Sequence, residues 1–134
     1  MRTPGTSPPA HPDRRARLVV ADDHARGRQA LCALLSTCSD LVVVGEAADG
    51  AQAIELVAHE QPDLVVLDLD MPILDGLQAT IRIKKRWPSV RVLVLSVDTE
   101  AHGQALAAGA DAFVAKGDPE DVLLETVHSL CASP

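Results

Sequence analysis

Asp22 and Asp23 stand side by side, Asp68 and Asp70 flank Leu69, and Ser96 and Lys116 each close a short apolar run. Carboxylates brought close repel one another unless a cation lies among them, and carboxylate oxygens with retained waters are what Mg²⁺ prefers. A lysine adds a compact positive charge and a serine a hydroxyl donor. Such groups together can neutralise the three equatorial oxygens of a phosphoryl group in transfer. The central carboxylate, Asp68, is then the candidate nucleophile, giving an aspartyl phosphate. Taken singly, each residue has a plainer reading: an Asp at a strand end is commonly a cap or turn former, a Lys a surface charge. The weight lies in their joint occurrence at the ends of separate segments.

The segments that must position them are short, apolar and rich in β-branched residues: 18–21, 41–44, 64–67, 90–95 and 112–115. Nearly continuous apolar runs of this length suit strands covered on both faces, as in a parallel sheet. Helical stripes lie between them: Leu31, Leu34, Leu35 and Cys38; Ile54, Val57 and Ala58; Leu123, Leu124, Val127 and Cys131. Pro62 and Pro88 stop helices before the third and fourth strands. Gly109 sits where a glycine cap would end the fourth helix, and Asp118-Pro119-Glu120 offers an N-cap followed by Pro at the first helical position. The expected architecture is five βα units in α/β order, (βα)5, with right-handed crossovers placing helices on both faces of one parallel sheet. Ligands of such sheets bind beyond the carboxyl ends of the strands. Asp22-Asp23, Asp68, Ser96 and Lys116 fall at four of those ends; the second strand ends in Gly45-Glu46 without a comparable cluster. Asp22, Asp23 and Asp68 converge if the first and third strands are neighbours.

Composition narrows the alternatives. The length of 134 residues fits one domain, and 47% hydrophobic with 23% charged residues fits a globular core. Residues 1–17 carry a balance of +3, and the remaining body carries −10. An acidic body with one Trp, one Phe and no Tyr lacks both the basic patch and the stacking aromatics that nucleic-acid binders use. Cys32, Cys38 and Cys131 form no CxxC and no repeated pair, so spacing gives no zinc signature and sparse thiols fit a cytoplasmic protein. His11, His59, His102 and His128 show no metal spacing either. No apolar run approaches the ~20 residues of a membrane helix, and the start lacks the apolar core of a secretory signal. No phosphate-cradling GxxxxGK[ST] loop points to ATP. Residues 1–16, with four of the nine prolines, read as a flexible basic tail, 17–131 as the domain, and 132–134 as its end or the start of a linker. Arg82, Lys84, Lys85 and Arg86 read as a solvated basic helix face, Trp87 as a packing residue, and His24 as a loop residue beside the acidic pair.

From Arg17 to Cys131 the sequence resembles the receiver domain of response regulators in two-component systems. The matching residues are Asp22-Asp23, Asp68 after Leu64-Val65-Val66-Leu67, the stretch Met71 to Gly76, Ser96 after Val94-Leu95, and Gly109 to Lys116. The resemblance implies a flavodoxin-like fold with strand order 2-1-3-4-5. It implies that Asp68 accepts a phosphoryl group from a phosphohistidine of a sensor histidine kinase. Asp23 and Asp68 would ligate Mg²⁺ directly, Asp22 through water and Asp70 through its carbonyl. Lys116 would pair with Asp68 and then with the phosphoryl group, while Ser96 and Phe113 act as switch residues. Catalysis would be limited to that transfer and its reversal by hydrolysis, so the chain is not expected to be an enzyme in the ordinary sense. The switched face would be that of the fourth helix, fifth strand and fifth helix, available to a partner or to a phosphorylation-dependent homodimer.

Three positions depart from the family pattern. Gly117 stands where Pro is common, Val97 where a small residue is common, and Asp70 adds charge beside the acceptor. The stretches 45–50 and 116–120 look most like receivers that precede a LuxR-type (NarL-like) DNA-binding helix-turn-helix. On this reading the 134 residues hold a receiver and no reader of DNA, either a stand-alone phosphate shuttle or a piece of a transcriptional regulator. The rivals are a haloacid-dehalogenase-type phosphatase, which Asp68-Leu69-Asp70 imitates, and an interaction module that is not phosphorylated.

Overall fold

The computed structural model describes residues 15–132, so most of the expected N-terminal tail and residues 133–134 lie outside the described residues. The strands are β1 (Ala16–Ala21), β2 (Leu41–Ala47), β3 (Leu64–Asp68), β4 (Arg91–Ser96) and β5 (Ala112–Ala115). The helices are α1 (Ala25–Ser36), α2 (Gly50–Glu60), α3 (Gly76–Arg86), α4 (His102–Ala107, entered through a 3₁₀ turn) and α5 (Glu120–Ala132). All strand pairings are parallel and the order is β2-β1-β3-β4-β5, as the (βα)5 reading requires.

Two aliphatic clusters sandwich the sheet. One joins Val19, Val65, Leu67, Val92 and Val94 to Val57 of α2 and Ile83 of α3. The other joins Leu18, Val20, Leu64, Val66 and Leu93 to Leu35 of α1 and Val127 of α5. Alternate residues of β1, β3 and β4 thus face opposite layers and are buried on both, which explains why their sequences are unbroken apolar runs.

Local chemistry sets the boundaries. Asp49 and Asp75 cap α2 and α3 by accepting from the backbone N–H of Gln52 (2.8 Å) and Gln78 (2.9 Å). Gly109, at φ +108°, closes α4 as expected: Gly109 N–H bonds the Leu106 carbonyl and Ala110 N–H that of Ala105. Several expectations shift. β1 begins at Ala16, whose N–H reaches the Asp40 carbonyl, and α5 begins at Glu120 rather than Pro119. β2 runs past Gly45-Glu46 to Ala47, because its register with β1 slips between Leu18 and Val19. In α2 the buried stripe is Ala53 and Val57, and Ala58 is exposed.

The basic run on α3 is not uniformly solvated. Arg86 lies 4.8 Å over the Trp87 ring, and Trp87 packs on the core. Lys84 Nζ donates to the carbonyls of Pro88 (3.1 Å) and Val90 (2.9 Å) and to Asp111 Oδ2 (3.0 Å), which also accepts from Val92 N–H. This clamp ties the end of α3 to the starts of β4 and β5. Lys84→Met is therefore expected to cost about 1–3 kcal/mol in urea denaturation, since it strands partly buried acceptors. Arg82→Met, on an exposed position of the same helix, is expected to cost little.

Candidate phosphoryl-acceptor site

Strand order and register bring the site together. Ala21 pairs with Leu67, so Asp22 and Asp68 leave neighbouring strands at the same level. Asp68 pairs with Leu95, one residue before Ser96; Ser96 pairs with Ala115, one residue before Lys116. Four strand ends thereby converge at one edge.

Asp68 is 3% exposed and its Oδ1 lies 3.0 Å from Lys116 Nζ. Lys116 also stands 3.9 Å from Asp22 Oδ2. Asp22 is 5% exposed, and its Oδ1 accepts the backbone N–H of His24 at 2.9 Å, a turn that holds Asp22 inward while Asp23 stays exposed. His24 Nδ1 lies 3.0 Å from Asp23 Oδ1 and 3.6 Å from Asp22 Oδ1, so it joins the cluster it borders. Ligand atoms of Asp22, Asp23, His24 and Asp68 all fall within 4.8 Å of one another. Burial pushes the Asp68 carboxyl above its ordinary range; Lys116 opposes the rise, and Asp22 and Asp70 add to it. Lys116 is the one cation at hydrogen-bond distance from Asp68 among the described residues, facing three carboxylates.

Ser96 is buried, and its Oγ accepts the Asp98 N–H at 3.0 Å, leaving the hydroxyl proton without a protein acceptor among the described residues. Asp70 is exposed, and its side chain is not among the ligand atoms that close within 4.8 Å of one another. Phe113 is half-buried and stacks on His102, with centroids 4.9 Å apart. Val97, which follows Ser96, is 73% exposed. Gly117 has open space where a side chain would stand.

The loop after β3 carries two features that composition and periodicity did not indicate. Ile73 has φ +68° and sits at the centre of a γ-turn, with Leu74 N–H bonded to the Pro72 carbonyl at 2.6 Å. Gly76 opens α3 directly beneath the acceptor strand: a Cβ there would lie 2.5 Å from the Asp68 carbonyl oxygen and 2.8 Å from Leu69 Cα. Alanine at an open helix position would be favoured over glycine by about 0.5–1 kcal/mol. Here the backbone collision wins, and Gly76→Ala is expected to destabilise by about 1–3 kcal/mol in thermal unfolding.

A cleft of about 620 Å³ at the opposite end of the sheet, between Trp87, Pro88, Asp63 and Cys131, has none of these converging groups. No helix among the described residues is long and apolar enough to cross a membrane.

Residues 18–128 match the family model of the response regulator receiver domain. The chain is 38% identical to the nitrate/nitrite response regulator NarL of Escherichia coli (strain K12), over 87% of this chain and 55% of that protein. It is 39% identical to the response regulator VraR of Staphylococcus aureus (strain Mu3 / ATCC 700698), over 75% and 49% of the two chains. The chain thus spans about half the length of these curated relatives. Among solved structures, the signal receiver domain of NarL from Mycobacterium tuberculosis superposes with a TM-score of 0.83. It is 34% identical and covers 90% of this chain and 98% of that one. A LuxR-family two-component response regulator from Aurantimonas sp. SI85-9A1 superposes with a TM-score of 0.84 at 30% identity, over 88% of this chain and 86% of that one.

Proposed function

Because the chain belongs to the response regulator receiver domain family of two-component signalling, we propose that Asp68 accepts a phosphoryl group from the phosphohistidine of a sensor histidine kinase. The observation that carries this reading is the buried Asp68 carboxylate, held 3.0 Å from Lys116 with Asp22 and Asp23 alongside. In the transfer, an Asp68 oxygen forms the new O–P bond as the N–P bond of the donor breaks, and the electron pair returns to the donor imidazole. Lys116 holds Asp68 in its ionised, nucleophilic form and then meets the charge of the transferred group. The unpaired Ser96 hydroxyl proton supplies a donor to a phosphoryl oxygen.

The donor set fits Mg²⁺: hard carboxylate oxygens of Asp22, Asp23 and Asp68 outnumber their cation, and the family pattern adds the Asp70 carbonyl. When bound, the ion neutralises these carboxylates and the equatorial phosphoryl oxygens. Drawing Ser96 toward the phosphoryl group frees space behind it, and Phe113 leaves its stack on His102 to fill that space. The α4–β5–α5 face then changes and is read by a partner or a second copy of the chain. The protein works in the cytoplasm. In a longer chain the signal passes from α5 to a DNA-binding output, as befits similarity to NarL and VraR; the receiver alone does not bind nucleic acid.

Acetyl phosphate with Mg²⁺ is expected to place one hydroxylamine-labile phosphoryl group per chain, detected by intact mass. Removing the ion with EDTA is expected to slow this labelling by roughly 10²-fold or more. Sustained turnover of an aryl phosphate, or labelling indifferent to chelation, would overturn the assignment in favour of a phosphatase or of adventitious acylation.

A further inference from the structure

At the amino-terminal end of the sheet, away from Asp68, the loop between α1 and β2 meets α5. There Cys38, Asp40 and His128 each present a ligand atom within 4.8 Å of the others. His128 Nδ1 lies 2.9 Å from the Leu124 carbonyl, which can only accept, so Nδ1 carries the ring proton. Nε2 faces Asp40 Oδ1 at 3.1 Å, and an ionised carboxylate is also only an acceptor. A neutral imidazole would therefore set two lone pairs against each other. The contact is satisfied by a proton between the two atoms or by a metal ion shared by them.

The thiol chooses between these. A shared proton makes no use of Cys38, whose Sγ otherwise meets only Thr37 Oγ1 at 4.0 Å among the described residues, whereas sulfur, imidazole nitrogen and carboxylate oxygen together are the donor set of a borderline-soft divalent ion. The Nδ1–H bond to a backbone carbonyl is also the bond that fixes the ring of a metal-bound histidine. The loop is preformed, since Leu41 N–H bonds the Cys38 carbonyl (3.1 Å) and Ala16 N–H bonds that of Asp40 (2.9 Å). We propose that Cys38, Asp40 and His128 bind a zinc-class divalent transition metal ion, with a fourth position open to water. On binding, the Cys38 thiol releases its proton to solvent as the sulfur–metal bond forms, with no change of oxidation state. The ion would tether α5 to the α1–β2 loop.

Cobalt(II) titrated into the intact chain under argon, with excess Mg²⁺ present to occupy the acidic pocket, reads the site. The expected result is a near-ultraviolet thiolate-to-cobalt charge-transfer band that saturates at one equivalent and is discharged by Zn²⁺. Cys38→Ser should abolish the band. Asp40→Asn, at an exposed loop position where folding is not at stake, should weaken cobalt binding at least tenfold. Cys32 and Cys131 stand outside the group whose ligand atoms close within 4.8 Å, so Cys32→Ser and Cys131→Ser should leave the band intact, as should Asp68→Asn. No band at stoichiometric cobalt, a band that survives Cys38→Ser, or binding indifferent to Asp40→Asn would overturn the proposal.

Discussion

Asp68→Asn is expected to melt higher than the parent protein at neutral pH without Mg²⁺, and to take no phosphoryl group from acetyl phosphate. The second half follows from removal of the nucleophilic oxygen. The first follows from the raised carboxyl of Asp68, which burial drives above its ordinary range against the pull of Lys116. A group whose pKa is raised on folding contributes stability below its unfolded pKa and loses that contribution as pH rises through the folded one. As pH rises through the raised folded range the parent loses it and comes to hold a poorly solvated charge, whereas asparagine is neutral throughout. The advantage of the variant should therefore be largest at neutral pH and shrink on acidification toward the ordinary carboxylate range. Replacing a buried charge with a neutral isostere suggests on the order of 1 kcal/mol, a few degrees in melting temperature. Lys116, whose side chain is 31% exposed, can turn to solvent or to Asp22, so its loss of a partner is mild. Calorimetry with chelator at neutral and acidic pH checks the pattern. A lower melting temperature for the variant at neutral pH would show that the ion pair outweighs the burial of the charge.

Lys116→Ala is expected to slow acceptance of the phosphoryl group by roughly 10²–10³-fold while leaving the fold intact. A preorganised charge aimed at developing oxyanions is commonly worth that much. Its removal also takes away the cation that opposes the rise of the Asp68 carboxyl, so less of Asp68 is nucleophilic at a given pH. The two effects separate on a pH profile: raising the pH recovers the ionisation part and not the charge-stabilisation part. Stopped-flow mixing with acetyl phosphate at saturating Mg²⁺ measures both. A Lys116→Ala rate within a few-fold of the parent would remove this residue from the acceptor chemistry.

Much of this site could be read from the chain because of how a doubly covered parallel sheet is built. Val19, Val65 and Val92 face one cluster and Leu18, Val66 and Leu93 the other, so the strands stand out as apolar runs. A polar residue ending such a run must emerge at the sheet's edge. Asp22, Asp68, Ser96 and Lys116 were identifiable for that reason, and Asp49 and Asp75 show the plainer fate of an aspartate, capping a helix. Helix stripes are legible to within a residue or two; spacing puts Ala58 in the stripe, although α2 turns Ala53 inward instead.

What escaped depends on contacts between distant segments or on backbone collisions. Lys84 looked like one of several solvated cations, yet Asp111, 27 positions away, and two carbonyls claim it. Cys38 and His128 carry no metal spacing, because spacing rules detect ligands on one turn or one helix, and these meet only when α5 packs beside the α1–β2 loop. Gly76 announces a helix start, not the 2.5 Å approach to Asp68 that forbids a side chain. The alternation of elements, the polar residues at their ends and the chemistry those residues can perform are legible in the chain alone. These follow from local periodicity and residue type. Which ends are neighbours, how deeply Asp68 is buried and which side chains meet across the far end of the sheet depend on strand order, register and helix docking, which bring together segments far apart in the chain.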